Sequence, residues 1–300
     1  MTAGSGVHGV AIIDKPAGMT SAEVVARVKR IAGVRRCGHT GTLDPMATGV
    51  LPVCLGEATK LAGYLTAEDK AYDGEMVLGV ETDTLDREGR VVRTADASGM
   101  TRAALERAMA QWVGEIDQIP PMYSAVKRDG RRLHELARAG EVVDRPPRRV
   151  RVDSFALRGF DPPRASFSVV CSKGTYVRSL VADVGAALGC GAHLAALRRT
   201  RAGRFGLDRA VPLAGLDAAA LRAHLIDPAE AVDRLRAVPV PADRVRHVRH
   251  GRPPGEVVRE IGEGERIRLL TPEGALLALV EGSAAGPRYL RVFTYGLTAR

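Results

Sequence analysis

Residues 70–82, KAYDGEMVLGVET, put Tyr72, Met76, Leu78 and Val80 on one side of a period-two pattern and Asp73, Glu75 and Glu81 mostly on the other. That alternation predicts an antiparallel strand with one buried and one wet face. Upstream, GVAIID (9–14) is a short continuous apolar run and predicts a fully buried strand. A helix follows, opened by Thr20 with Glu23 as a capping box, striped by Val24, Val28 and Ile31, and ended by Gly33. VRRCGHTGTLDPMATG (34–49) has no sustained periodicity and reads as a long structured loop. VLPVCLG (50–56) reads as a strand and EATKLAGYL (57–65) as helix. Downstream come a helix at 101–113 carrying Leu105, Met109 and Trp112, then strands at 150–160 and 164–172 joined around Asp161, Pro162 and Pro163. Another helix begins just after Gly174. This mixed order predicts an α+β domain over 1–237, a largely antiparallel sheet with flanking helices. From about Val238 the texture changes to short strands separated by glycine turns, which predicts a small β-barrel-like domain over 238–300. A unit of that size is near the lower limit for folding alone and is expected to pack on the first.

The chain has 300 residues, 45% of them hydrophobic and 26% charged, so it is globular and not disordered. It has no run of about 18 apolar residues, and its N-terminus lacks the pattern of a secretory signal. It is expected to stay in the cytoplasm, away from membranes. Cys37, Cys54, Cys171 and Cys190 form no C-x-x-C pair, so reduced thiols are expected. The net charge of +9, from 44 Lys and Arg against 35 Asp and Glu, favours a polyanionic partner. More than half of it is concentrated between Pro120 and Arg151, which hold nine basic and four acidic residues. The segment at about 120–150 departs from core-like pattern and reads as a basic insertion, either a solvated surface or a phosphate-contacting arm.

Neither GHTGTLDPMATG nor CSKGTYVRS matches a phosphate-binding G-x-x-x-x-G-K-[ST] or G-x-G-x-x-G loop. No G-x-S-x-G elbow or H-E-x-x-H helix occurs. His247 and His250 lie among Arg244, Arg246, Arg249 and Arg252, a poor environment for a cation, so no metal is expected. One carboxylate stands out: Asp44, before Pro45 in a glycine-rich loop beside His39, Thr40 and Thr42. By spacing alone it is equally an ordinary turn residue.

The stretch RCGHTGTLDPMATGVLPVCLG (36–56) resembles the signature loop of the TruB-type RNA pseudouridine synthases. Three more stretches resemble that family in the same order: IIDKPAGMTS (12–21), KAYDGEMVLGVETDTLDREG (70–89) and CSKGTYVRSLVADVGAALGCGAHLAALRRT (171–200). The likeness is strong from Gly9 to Gly206, includes PPMYSAVKRDGRRLHELARAG (120–140), and fades toward the C-terminus, where only strand pattern and position suggest the family's PUA-like RNA-binding domain. The resemblance implies isomerisation of uridine to pseudouridine in the T-loop of tRNA, at position 55, with Asp44 as catalytic aspartate and no cofactor. It further implies that Arg178 pairs with Asp44, orients it and holds its pKa down, and that Tyr72 packs on the target base and helps remove the C5 proton. Tyr176 and Leu197 match residues lining the uracil pocket. His39 matches one that holds the flipped nucleotide, and Lys15 with Pro16 belongs to a motif bracing the loop. Lys127, Arg128, Arg131 and Arg132, with Met122, Tyr123 and His134 beside them, would contact the T-arm. A monomer acting without a protein partner is expected. Whether Asp44 attacks C1′, adds to C6 or promotes a glycal route stays open.

Two other classes compete. An RNA-binding module without chemistry would share the basic charge, but it has no need of a carboxylate aimed at a polyanion. A glycoside hydrolase also acts at an anomeric carbon, yet it requires a second acid, for which only Glu75 and Asp83 are candidates. A third possibility, a guide-directed relative with protein partners, is disfavoured by PMATGVLPVCLGEATK and the basic insertion.

Overall fold

In a computed structural model, residues 6–124, 127–128, 130–141, 143–258 and 260–295 are described; within these ranges the side chains of Lys127, Arg128, Arg132, His134, Arg138 and Glu256 are not. The main sheet runs in the order Val211–Pro212, Gly9–Lys15, Thr48–Leu55, Ala192–Ala202, Lys70–Leu78, Arg164–Cys171, Arg148–Asp161, Gly114–Gln118. All neighbours are antiparallel except the first pair and the pair formed by Thr48–Leu55 with Ala192–Ala202.

The strand patterns follow from which faces are covered. Along Gly9–Lys15, Ala11 and Ile13 join one apolar cluster while Val10 and Ile12 join another on the opposite face. Thr48–Leu55 divides likewise, with Leu51, Val53 and Leu55 on one side and Val50 and Cys54 on the other. A strand covered on both faces has no polar alternation to show, which is why 9–14 and 50–55 read as continuous apolar runs. Lys70–Leu78 keeps one wetter face and alternates as expected. It stops at Leu78, because Gly79 turns the chain at φ +79°, where an added Cβ would lie 2.5 Å from the Ala95 carbonyl oxygen. Val80 therefore starts a separate short hairpin, Val80–Thr82 with Val91–Thr94, and does not continue the same strand.

The first cluster lies beneath the helices. Ser21–Ala32 is capped by Thr20 and Glu23 in a complete capping box and closed by Gly33 in the left-handed conformation. Arg102–Ala110 and Val177–Ala187 contribute Leu105, Met109, Leu180, Val181 and Val184 to the same core. Two local expectations are refined. Cys37–His39, inside the expected loop, pairs with Thr48–Leu55 as a short strand, and 56–66 splits into a 3-10 turn and a short α-helix.

The second cluster is closed by the C-terminal segment. Arg236–Pro239, Arg266–Leu270, Leu276–Ser283 and Gly286–Val292 form a four-stranded sheet. From this segment Leu276, Leu279, Phe293 and Tyr295 are buried with Val10, Ile12, Val50 and Cys54. Polar ties fix the join. Thr294 donates from its backbone to Glu57 at 3.1 Å, Lys60 donates to the Val292 carbonyl at 2.7 Å, and the Tyr295 hydroxyl meets Asp227 at 3.2 Å. Among the described residues no helix is long and apolar enough to cross a membrane.

Because Phe293 is fully buried in that shared cluster, Phe293→Ala is expected to destabilise the whole protein, by about 3–5 kcal/mol. Urea unfolding followed by two probes, Trp112 fluorescence and far-ultraviolet circular dichroism, should show one coincident, weakened transition. A wild-type midpoint would show that the C-terminal segment does not support the main sheet.

Candidate active site

Asp44 lies in the connection between Cys37–His39 and Thr48–Leu55, and the chain pins this connection residue by residue. The Ser21 hydroxyl both accepts from the Leu43 amide at 2.8 Å and donates to the Leu43 carbonyl at 3.1 Å. On the other side of Asp44, the Pro45 carbonyl accepts from Lys15 Nζ at 3.1 Å and from the Gly18 amide at 2.8 Å. Lys15 is fully buried and also donates to the carbonyls of Pro16 and Met19. Burial pulls its ammonium down to about 8, with the Asp44 charge acting the other way. Lys15, Gly18 and Ser21 thus hold 43–45 from the stretch 15–21. Further back, the Gly41 carbonyl accepts from Arg199 at 3.1 Å, and the Gly41 amide donates to His39 Nδ1 at 3.2 Å. That bond makes Nδ1 an acceptor, and burial lowers the His39 pKa, so the ring is neutral.

Arg178 enters from the first turn of the Val177–Ala187 helix, where an arginine would ordinarily face water. Here its side chain is 4% exposed. Nη2 donates to Asp44 at 3.1 Å, and Nε stands 2.9 Å from the other Asp44 oxygen as an ion pair whose N–H is not aligned for a hydrogen bond. The remaining donors reach the Thr84 carbonyl at 2.8 Å and the Tyr123 carbonyl at 2.9 Å. A second carboxylate, Asp86, lies 3.3 Å from Nη1. Sequence reasoning missed it, although it sits in the DTLDREG turn. It is almost fully buried and is held by Thr84 Oγ1 at 2.7 Å and the Glu88 amide at 3.0 Å. Glu75 and Asp83, the second acids weighed from sequence, instead pair with the surface arginines Arg164 and Arg90.

The two acids of this cluster differ in access. One third of the Asp44 side chain is open, whereas Asp86 is closed off. Burial still raises the Asp44 carboxyl above its ordinary value, with Arg178 pulling it down and Asp86 pushing it up. The expectation that Arg178 holds this pKa low is therefore corrected: the pull exists, but desolvation outweighs it.

Tyr72 and Leu197 come from adjacent antiparallel strands, Tyr72 opposite Arg199 and Leu197 opposite Gly74. A register shift between Leu194 and Ala196 turns Leu197 and Arg199 to the same face as Tyr72. Both Tyr72 and Leu197 are buried, and burial raises the Tyr72 phenol. Tyr176 is half-buried and caps the Arg178 helix; its backbone amide and carbonyl are both held by the Gln118 side chain, at 2.7 and 3.1 Å. Gln118 carried no signal in the sequence. Asp44, Arg178, Lys15, Tyr72, Leu197, Tyr176 and His39 all belong to this region.

The basic insertion begins at its edge. Met122 and Tyr123 are half-buried, and the Tyr123 carbonyl contacts Arg178 directly. Lys127–Arg128 and Arg131–Arg132 form a two-stranded hairpin. Arg131 pairs with Glu141 at 3.0 Å, while the side chains of Lys127, Arg128, Arg132 and His134 lie outside the described residues. Among the described residues no cluster of His, Cys, Asp and Glu is suited to hold a metal.

The chain is similar to known proteins over most of its length. The model of the TruB family pseudouridylate synthase N-terminal domain matches residues 29–177, and that of the tRNA pseudouridylate synthase B C-terminal domain matches 178–245. A tRNA pseudouridine synthase B of Geobacter sulfurreducens is 42% identical over 304 residues, spanning 96% of this chain and 100% of that protein. One of Burkholderia pseudomallei is 53% identical over 213 residues, 71% of this chain and 70% of the other. Among solved structures, the crystal structure of a Cbf5-Nop10-Gar1 complex superposes with TM-score 0.73 at 28% identity, covering 96% of this chain and 85% of that one.

The unequal burial makes a test. Arg178→Met strands Asp86 in the interior and is expected to cost about 3–5 kcal/mol, the usual consequence of leaving a buried charge without its partner. Asp44→Asn, at a partly open position, should leave the urea midpoint close to wild type. Equal losses would show that the two carboxylates do not differ in this way.

Proposed function

The chain belongs to the TruB family of pseudouridylate synthases and isomerises uridine to pseudouridine in tRNA; from that premise we propose that its target is the T-loop uridine at position 55, with Asp44 as the reacting carboxylate. The carrying observation is the Asp44–Arg178 ion pair at 2.9 Å, whose carboxylate alone of the two on that arginine is open. The reaction breaks the N1–C1′ bond, turns the uracil and joins C5 to C1′. It needs charge placed at the sugar and removal of the C5 proton, with no net oxidation. A poorly solvated carboxylate, fixed by Arg178 and by the contacts from 15–21, is well prepared for the first task. Tyr72 is assigned to the second task and to the face of the base, Leu197 and Tyr176 to the walls of the uracil pocket, and His39 to the flipped nucleotide. We assign no metal or other cofactor a part.

The insertion at about 120–150 is proposed as the arm that grips the T-arm. Its root lies against Arg178 through Tyr123, so RNA held by Lys127, Arg128, Arg131 and Arg132 would be delivered beside Asp44. The division at 1–237 and 238–300 is kept, with the C-terminal part as a PUA-like RNA-binding domain. Its Ala242–Arg249 helix and the turn after it expose Arg244, Arg246 and Arg252. The enzyme is proposed to be a cytoplasmic monomer that needs no protein partner. The Cbf5 neighbour was solved with Nop10 and Gar1, but the relatives that match most of this chain at 42–53% identity are tRNA pseudouridine synthases B.

Tritium release from tRNA transcript carrying C5-tritiated uridine tests this reading. Wild type should release close to one equivalent, and Asp44→Asn none while binding tRNA as before. Turnover by Asp44→Asn would remove the mechanism. Because the ionised carboxylate is lost as pH falls through a value raised above the aspartate norm, the acid limb of the single-turnover rate should lie above that of a free aspartate. Replacing Lys127, Arg128, Arg131 and Arg132 together by Ala should weaken tRNA binding and flatten its dependence on salt; an unchanged slope would count against the arm.

A further inference from the structure

Arg199 heads the largest fully buried side chains of the protein, at 1% exposure, and it stands apart from the Asp44–Arg178 pair. Its strand meets Thr48–Leu55 at only two residue pairs, Arg198 with Thr48 and Arg199 with Gly49. The approach is so close that a Cβ on Gly49, at φ +98°, would lie 2.2 Å from the Arg199 carbonyl oxygen. A buried guanidinium cannot shed its proton, and leaving it without a counter-charge is costly. Arg178 has two carboxylates; among the described residues none pairs with Arg199. Its Nε donates to the Val50 carbonyl at 2.6 Å and its Nη2 to Gly41, and Tyr72 stands directly opposite it on the neighbouring strand, its phenol within the field of the Arg199 charge. Lys70, also buried, packs with Arg199 against Gly41 and adds to the positive potential there. A site that keeps an uncompensated cation behind a phenol is arranged to receive negative charge on the phenol oxygen.

We propose that Arg199 is a positioning residue for the loss of the C5 proton, fixing the Tyr72 oxygen and stabilising the phenolate that accepts it. This rests on the assignment of Tyr72 to the C5 proton. A guanidinium only donates, so toward Arg199 the Tyr72 oxygen can only accept, and the phenol proton is given up to solvent before the C5 proton is taken. Once C5 is bonded to C1′, the phenolate takes the C5 proton. The C5–H electron pair forms C5=C6, the N1=C6 pair returns to N1, and N1 takes a proton from water. The charged and titratable groups around Tyr72 are Arg199, Cys171, Lys70 and Asp44; burial, Cys171 and Asp44 oppose ionisation and Arg199 favours it. By holding Gly41 with the same fork, Arg199 also ties the Asp44 loop to the Tyr72 strand.

The test is single-turnover kinetics of Arg199→Lys and Arg199→Gln on tRNA with protium or deuterium at C5 of the target uridine. The rate should fall roughly 10²-fold for Gln, within the range expected for a lost proton acceptor, and less for Lys. Both variants should show a larger C5 isotope effect than wild type, with tRNA affinity and its salt slope unchanged. A slower rate without a larger isotope effect would reduce Arg199 to a structural part. A weaker, flatter salt dependence of binding would make it a phosphate contact instead. Tyr72→Phe separates the premise: normal tritium release by that variant would remove the Tyr72 assignment, whatever Arg199 does. Should neither Arg199 variant fold, the ultraviolet titration of wild type minus Tyr72→Phe, bound to tRNA, reads the one phenol. Ionisation within the pH range over which single turnover proceeds is required, and a phenol that stays protonated throughout that range overturns the proposal.

Discussion

A guanidinium shared between two carboxylates of unequal access is the interaction on which the site depends. Arg178 is nearly buried, and the groups that compensate it come from distant parts of the chain: Asp44, the turn at 84–86 and the root of the insertion at Tyr123. A buried arginine tolerates little error in any of them, because its charge is desolvated whether or not its partners arrive. Convergence of these segments on one side chain therefore couples the Asp44 loop to the segment proposed to hold RNA. The same arginine leaves one oxygen-bearing group, on Asp44, facing outward.

The loop that carries Asp44 has no regular structure of its own and borrows its rigidity. Ser21, Lys15 and Gly18 hold it from the N-terminal motif, and Arg199 holds it from the sheet. These partners bind backbone carbonyls and amides, so they constrain position without consuming the Asp44 side chain. The cations that do the holding also shape the potential. Around Asp44 and Tyr72 stand Lys15, Arg178, Arg199 and Lys70, an environment suited to a polyanion and hostile to a second free carboxylate.

The small C-terminal sheet is part of the same physical unit. Strands 9–15 and 48–55 bury both faces, and one of those faces is covered by Ala58, Leu61 and Leu65, by Phe205 and Ile226, and by Leu276, Leu279, Phe293 and Tyr295 near the chain's end. Strand 48–55 carries the far end of the Asp44 loop, so the cover on its back also steadies the loop on its front. The four-stranded sheet has a small buried cluster of its own around Val248, Ile267, Leu269, Leu277 and Val280, and lends its other apolar residues to the main sheet.

Local chemistry is legible in the residues themselves. The capping box of Thr20 and Glu23, the stop at Gly33, the alternation of Lys70–Leu78 and the doubly apolar runs at 9–14 and 50–55 are written in spacings of a few residues, and the family resemblance locates Asp44, Arg178, Tyr72 and Leu197. Other features depend on approach through space. In the sequence, Asp86 and Gln118 look like ordinary residues of a turn and an edge strand, Arg199 like one of several arginines in LRRTR, and the Asp44 pKa like one that Arg178 would lower. Burial, register and the balance of desolvation against charge decide these, and they are properties of neighbours far along the chain. Sequence determines which segments prefer which local form, since that depends on side chains a few residues apart; only the tertiary structure decides which charges share a low-dielectric interior and so which of them react.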